Sequence, residues 1–108
     1  MYQLRNLRVE GRSEFVQVQP GVIPQFDARV ARQTPVALLA QNKQEVVEMF
    51  KVAREIADAS GSPKVIWITS WNEWHEGTAI EPTVTGGAKY PGGNYGYDFL
   101  EAVSEVFR

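Results

Sequence analysis

The densest group of side chains with chemical capability lies between Trp71 and Glu81. These eleven residues hold three carboxylates, one amide, two indoles and the only histidine of the chain: Trp71, Asn72, Glu73, Trp74, His75, Glu76 and Glu81. Indole rings stack on the apolar C–H faces of pyranoses, while carboxylates and amides bind hydroxyl groups and transfer protons. This combination of residue types indicates a carbohydrate site.

Glu73 and Glu76 are the candidate catalytic pair. Cleavage of a glycosidic bond needs one carboxylic acid that protonates the leaving oxygen and a second carboxylate that acts at the anomeric centre. The candidate substrate-binding residues are the amide, the indoles and the imidazole of the same segment: Asn72, Trp74, His75 and Trp71.

The same side chains also have structural interpretations. Glu73 and Glu76 would then form a solvated charged face, His75 would be a structural hydrogen-bonding group, and Glu81 would hold its loop. A divalent-ion site built from the oxygen atoms of the three glutamates is a further alternative.

A strand buried on both faces is predicted over residues 64–69, which form a nearly continuous apolar, β-branched run. Trp67 lies in the middle of this run and is predicted to be core. For Trp71 and Trp74, burial in the core and stacking on a sugar are equally favoured interpretations. In parallel α/β architectures, ligands bind at the loop that leaves the carboxyl end of a strand. The candidate site follows the predicted strand directly.

Two helices flank this strand in the sequence. Apolar residues at helical spacing predict a helix over residues 43–59, with Asn42 and Glu45 arranged as a capping box and Gly61 at the C-cap. A second, short helix is predicted from about Asp98 to the end of the chain.

The segment before the first helix contains a predicted strand and a predicted loop. Polar and apolar residues alternate over 14–19, which indicates a strand ending in a turn at Pro20–Gly21, and residues 20–35 are predicted to be an irregular loop. Strands thus alternate with helices, and this order predicts an α/β fold with parallel β-α units.

Composition limits the function classes. The chain has 108 residues, with 11 Lys and Arg against 13 Asp and Glu, and this near-neutral balance predicts neither a nucleic-acid partner nor an anionic membrane partner. Apolar stretches of four to five residues predict no membrane-spanning segment. With no cysteine there is no thiolate metal site, and no glycine-rich phosphate motif follows either strand.

Residues 68–82, from Ile68 to Pro82, resemble the signature of glycoside hydrolase family 99, which contains the endo-α-mannosidases and endo-α-mannanases and is related to a set of glycosyltransferase-annotated polysaccharide proteins. The family pattern usually has Phe at the position of Trp71 and Gln at that of Ala79. Similarity extends over about residues 14–108, and the loop with Asp27, Arg29 and Arg32 looks like the one after the preceding barrel strand.

The resemblance implies a (β/α)₈ TIM barrel that cleaves α-mannosidic bonds in a polysaccharide or N-glycan with retention of configuration. The residue matching Glu73 would act as a base on the sugar 2-hydroxyl, through a 1,2-anhydro sugar. The residue matching Glu76 would protonate the leaving group and then activate water. Asn72, His75 and Trp74 would line the site or hold the carboxylates, with no metal or organic cofactor.

A (β/α)₈ barrel takes about 250 residues, so about two β-α units correspond to the C-terminal part of one. We assign residues 14–108 to that part and residues 1–13 to a leader or the end of a preceding element. The enzyme is then the parent protein. Its location is left open among periplasmic, extracytoplasmic and Golgi-like compartments, and no signal is visible in this chain. We expect the 108-residue chain alone to be inactive and to form homo-oligomers through exposed sheet edges.

Two other functions are consistent with the sequence. One is a non-catalytic carbohydrate-binding or self-associating barrel remnant, which keeps the aromatic loop without turnover. The other is a glycosyltransferase-related protein of polysaccharide biosynthesis, which would consume a nucleotide sugar. The hydrolase, the carbohydrate-binding remnant and the glycosyltransferase-related protein would all have a carbohydrate as partner.

Overall fold

The computed structural model describes residues 18–33, 37–60, 64–84 and 94–108. Four short strands and three α-helices form a mixed α/β structure, and a single-turn 3₁₀ helix spans Trp74–Glu76. The strands are β1 (Gly21–Val22), β2 (Phe26–Asp27), β3 (Ala37–Leu38) and β4 (Trp67–Ile68). The α-helices are α1 (Arg29–Arg32), α2 (Lys43–Ser60) and α3 (Asp98–Phe107).

Helix α2 confirms the prediction over 43–59 and extends one residue further, to Ser60. Its start is capped reciprocally: the Glu45 N–H donates to Asn42 Oδ1 at 3.0 Å, and Glu45 Oε2 accepts from the Gln41 N–H at 2.8 Å. The first bond satisfies a backbone donor that the first turn leaves without a helical partner, as the capping box predicts, whereas the second reaches Gln41, one residue before the expected partner Asn42. The predicted C-cap Gly61 lies outside the described residues.

The core lies where α2 packs against α3. It consists mainly of one apolar face from each helix: Val46, Val47, Phe50 and Ala53 from α2, with Phe99, Ala102 and Val106 from α3. The rings of Phe50 and Phe107 meet edge to face with centroids 5.9 Å apart. Lys43 Nζ and Glu101 join the two helices at 2.9 Å, and this contact raises the pKa of Lys43.

Strands β1 and β4 pair in parallel, with Gly21 opposite Trp67 and Val22 opposite Ile68. The Trp67 N–H donates to the Pro20 carbonyl and the Thr69 N–H to the Val22 carbonyl, each at 3.0 Å. Helix α2 connects the two strands in sequence, which confirms the predicted α/β arrangement with parallel strands. Strands β2 and β3 form a separate antiparallel pair.

The predicted strand over 64–69 is corrected in length and in burial. Only Trp67 and Ile68 are in strand conformation, and Trp67 is 61% exposed rather than core. Ile66 and Ile68 pack against the core, so strand alternation turns Trp67 to the opposite face, away from it.

The segment before α2 also differs from the prediction. Residues 14–17 lie outside the described residues, residues 18–20 have no regular structure, and β1 begins at Gly21, where a turn was predicted. The predicted irregular loop over 20–35 contains β1, β2 and α1. These elements are two to four residues long, too short for a periodic sequence pattern to reveal. No helix in the described part of the chain is both long and apolar enough to cross a bilayer.

Removing core volume should destabilise the chain, whereas the same change at the surface should not. Val46 is fully buried and Val84 is 77% exposed. We expect Val46→Ala to lower the free energy of unfolding by about 2 kcal/mol, because apolar surface and packing are lost. Urea denaturation measures this, with Val84→Ala as the matched control. Equal effects of the two variants would contradict the assigned core.

Candidate functional site

The predicted site residues lie on a closed loop that leaves β4. The Ser70 N–H donates to the Thr78 carbonyl at 2.9 Å, and the Ile80 N–H returns to the Ser70 carbonyl at 3.0 Å. The hydroxyls of Ser70 and Thr78 share a hydrogen bond of 2.7 Å. The peptide bond between Thr69 and Ser70, at the start of the loop, is cis. These contacts hold the two ends of the loop together, at residues 70 and 78–80, so that residues 71–77 form one closed loop.

The two candidate catalytic glutamates have different basic partners. Glu73 Oε1 lies 2.6 Å from His75 Nε2, whereas Glu76 forms an ion pair with Arg32. The Glu76 side chain is the less exposed, at 23% against 45% for Glu73. The Glu73 N–H donates to Ser70 Oγ at 3.0 Å, which holds its backbone at the neck of the loop. Each carboxylate is therefore oriented separately.

Arg32 is the contact that sequence reasoning missed. It lies 44 residues before Glu76 and reaches it from α1, the one-turn helix that follows β2. The resemblance had placed Arg32 only in the loop after the preceding strand. Its pairing with Glu76 depends on how the segment after β1 packs against the loop after β4, and a local sequence pattern does not predict such packing.

The indoles that flank the glutamates are exposed. Trp71 is 54% and Trp74 is 52% exposed, so neither is core in this structure. Asn72 is also exposed, and its backbone carbonyl accepts from the Trp74 N–H at 2.9 Å. Open ring faces beside carboxylates leave room for a pyranose to stack.

Gly77 brings the 3₁₀ helix against β2. Its φ of +64° is in the left-handed region, and a Cβ there would lie 3.0 Å from the Asp27 nitrogen. The Asp27 carboxylate in turn accepts from Arg29 Nε at 2.8 Å and from Arg29 Nη2 at 2.7 Å. These bonds lower the pKa of Asp27 and raise that of Arg29. Glycine thus permits the close approach of the two loops.

Tyr95 braces the far side of the loop. Its hydroxyl lies 2.7 Å from both the Ala79 and the Glu81 carbonyl oxygens, which share its single proton. The ring stacks on Phe99 of α3, with centroids 3.9 Å apart. Thr83 Oγ1 accepts from the N–H groups of Tyr95 and Gly96, each at 2.8 Å. The start of α3 therefore holds the carboxyl-terminal half of the loop.

Glu81 contributes its backbone to this arrangement, since its N–H donates to the Trp71 carbonyl at 3.0 Å. Within the described ranges, no three His, Cys, Asp or Glu side chains gather closely enough to hold a metal ion. The alternative of a divalent-ion site from Glu73, Glu76 and Glu81 therefore has no assembled ligand set among these residues.

The loop after the parallel strand β4 thus carries two separately oriented carboxylates and two exposed indoles. A scan of family models matches residues 2–92 to the family described as Glycosyltransferase WbsX, and the chain belongs to that family. The family is related to polysaccharides, which makes a carbohydrate the partner class. No curated protein and no solved structure matches the chain. The matched residues include both glutamates and Arg32.

Gly77→Ala should destabilise the docked loops, and Gly21→Ala should not. A Cβ at Gly21 meets nothing within 4 Å, which makes it the matched control. We expect Gly77→Ala to cost about 1–3 kcal/mol because a non-glycine residue is strained in the left-handed region and would be crowded by Asp27. Denaturant unfolding measures the cost. A neutral Gly77→Ala would show that the loops are not held at this distance.

Tyr95→Phe should lower the free energy of unfolding at neutral pH, and this loss should become smaller above pH 10. Burial, with a smaller effect of Glu81, raises the pKa of Tyr95 to about 12. The unfolded phenol ionises near pH 10, so wild-type stability is complete below that pH and falls as pH rises through about 12. We expect Tyr95→Phe to cost about 1–2 kcal/mol at neutral pH because two carbonyls lose their donor.

This cost should shrink between pH 10 and 12, since phenylalanine cannot ionise. Chemical denaturation at a series of pH values measures the difference between wild type and variant. Tyr97 is 61% exposed, so Tyr97→Phe is the control and should change little. A difference that stays constant up to pH 12 would contradict the buried-phenol assignment.

Proposed function

We propose that this chain carries the catalytic loop of a glycoside hydrolase that cleaves α-mannosidic bonds with retention, as the resemblance to glycoside hydrolase family 99 implies. The substrate would be a polysaccharide or an N-glycan. One observation supports this most directly: Glu73 and Glu76 are separately oriented beside two exposed indoles, on a loop that leaves a parallel strand. Hydrolysis with retention needs two carboxylates with different tasks.

The proposed reaction assigns one task to each glutamate. Glu73 removes the proton of the sugar 2-hydroxyl as that oxygen attacks the anomeric carbon, and Glu76 protonates the leaving oxygen as its bond to the anomeric carbon breaks. Glu76 then takes a proton from water, which opens the 1,2-anhydro ring at the anomeric carbon. Glu73 returns its proton to the 2-oxygen, and two inversions give net retention.

Each carboxylate has a neighbour that orients it. His75, 2.6 Å from Glu73, orients that carboxylate, and Arg32 orients Glu76 through an ion pair. Asn72, Trp71 and Trp74 are exposed around the pair and would contact the sugar. A hydroxyl group of an incoming sugar would displace Arg32 from Glu76. Substrate binding would thus free the Glu76 carboxylate for proton transfer.

We further propose that residues 14–108 form part of a (β/α)₈ barrel, with residues 1–13 as a leader or the end of a preceding element. Support comes from the parallel β1–β4 pair joined through α2, and from the docking of the loops that follow the two strands. In such barrels, catalytic residues lie at the carboxyl ends of the strands.

A glycosyltransferase is the second candidate, because the description of the family names that activity. It would transfer a sugar from a nucleotide donor to a polysaccharide acceptor. The same carboxylates and indoles would then bind the acceptor, with one glutamate as the base on its hydroxyl group.

Glu76→Gln should reduce hydrolysis of α-mannan at least 100-fold, because general acid–base catalysis supplies about 10²–10⁴ in rate. The loss should be smaller on an aryl α-mannoside whose leaving group needs no proton. Wild-type activity should fall on both sides of a pH optimum. The measurement is initial rates of the complete parent enzyme on both substrates, with the exposed α2 residue changed in Glu48→Gln as the control.

Three outcomes would contradict the proposal. Full activity of Glu76→Gln on mannan would remove the assigned role. A wild-type chain that consumes a nucleotide sugar without hydrolysing mannan would favour the glycosyltransferase. Mannan binding that survives the combined Glu73→Gln and Glu76→Gln changes, with no turnover by the wild type, would favour a carbohydrate-binding remnant.

A further inference from the structure

Both outer edges of the β1–β4 sheet are open within the part of the chain that the structure describes. The parallel ladder uses the backbone groups of residues 20, 22, 67 and 69. Because successive residues of a strand direct their N–H and C=O groups to opposite sides, those of Gly21 and Ile23 face one outer edge and those of Ile68 face the other. Each edge offers hydrogen-bonding groups to a further parallel strand.

The edge at β1, here the Ile23 edge, carries an apolar trough of about 360 Å³ between β1, β3 and α2. Its lining is wholly apolar: Pro20, Gly21, Val22, Ile23, Leu38, Met49, Val52, Ala53 and Ile56. Ile23 is 46% and Leu38 57% exposed. Met49 and Val52 also line an adjoining hollow with Glu45 and Glu48, and Glu48 lies 3.2 Å from Lys51 Nζ, so this edge has an acidic border with a net charge of 1 − 2 = −1.

The opposite edge, here the Ile68 edge, carries a second trough of about 480 Å³ between β4, α2 and α3. Its apolar floor includes Ile66, Ile68, Val103 and Phe107. The border has three cations, Arg54, Lys64 and Arg108, and one carboxylate, Asp58. Asp58 lies 3.1 Å from Lys64 Nζ and 3.8 Å from Arg54 Nε. The border therefore keeps a net charge of 3 − 1 = +2.

We propose that a second copy of the 108-residue chain binds edge to edge, the Ile23 edge of one copy against the Ile68 edge of the next, in the positions that neighbouring strands would take in the proposed barrel. Both troughs are apolar, their borders have opposite charge, and the two strands run in the same direction. A translated copy would thus repeat the parallel pairing that β1 and β4 already make within one chain. Two identical edges placed together would instead bring like charges into contact.

The interface is heterologous, so association closes into a ring or continues into longer assemblies. The bonds between copies are main-chain bonds of a parallel sheet, and the apolar troughs supply the buried area. The charged borders select which edges meet, because opposite charges favour the encounter and like charges oppose it.

Charge reversal with mixing tests this pairing. One variant combines Glu45→Lys and Glu48→Lys, which gives both edges a basic border; the other combines Lys64→Glu and Arg108→Glu, which gives both an acidic border. We expect wild type to associate with rising concentration, and each variant alone to associate at least tenfold more weakly. An equimolar mixture of the two variants should regain association, since opposite borders face each other again.

Sedimentation velocity over a series of concentrations measures the assemblies, and circular dichroism verifies that each variant is folded. The combined Glu55→Lys and Glu105→Lys changes reverse the same number of exposed acids elsewhere on α2 and α3 and should associate as wild type does. Leu38→Lys, which replaces an exposed apolar residue of the trough by a cation that faces the cationic border of the next copy, should weaken association without disturbing the core.

A wild type that stays monomeric at all concentrations would overturn the proposal. So would a mixture that fails to regain association, because that result indicates pairing between identical edges or contacts elsewhere. None of the changed residues lies in the loop 70–82, so either failure leaves the proposed hydrolase function to its own test.

Discussion

Packing of α2 against α3 is the interaction on which the candidate site depends. Phe50 and Phe99 are fully buried, and Phe99 also carries the stacked ring of Tyr95. The Tyr95 hydroxyl then holds the backbone carbonyls of Ala79 and Glu81, at the end of the glutamate loop. A continuous series of contacts therefore joins the helical core to the loop. Loss of helix packing would release the loop, although no catalytic candidate lies in the core.

The second support of the site comes from the loop after β1. Gly77 lies against Asp27, and Arg32 pairs with Glu76, so residues from the two loops orient the same carboxylate. His75 contacts Glu73 from within the loop itself. One glutamate is thus oriented locally and the other by a distant residue. The two carboxylates therefore have different environments, as the proposal of different tasks for them requires.

The open sheet edges and the site are related through strand direction. Parallel strands have their carboxyl ends at the same edge of a sheet, and the glutamate loop leaves the carboxyl end of β4. If copies pair in parallel, their glutamate loops lie at the same end of the shared sheet. The exposed indoles of successive copies would then lie on the same side, and if they bind sugar as proposed, several copies together would bind a long polysaccharide more tightly than one.

Local patterns in the sequence determined α2, the Asn42–Glu45 cap at its start, and the placement of the glutamates, histidine and indoles directly after a strand. Each of these depends on neighbours within a few residues, such as the Asn42–Glu45 pair and the helical spacing of Val46, Phe50 and Ala53. The link to a polysaccharide-related family also came from the linear motif, and the family match supports it.

Tertiary structure alone decided the exposure of Trp67, the pairing of Arg32 with Glu76 and the support of the loop by Tyr95. Trp67 was expected to be buried because its neighbours are apolar, but Ile66 and Ile68 pack against the core while alternation turns Trp67 to the other face. Arg32 and Tyr95 reach the loop across 44 and 14 to 16 residues. Such contacts depend on how the strands and helices pack against one another. Local periodicity in the sequence does not predict them, because it depends only on residues a few positions apart.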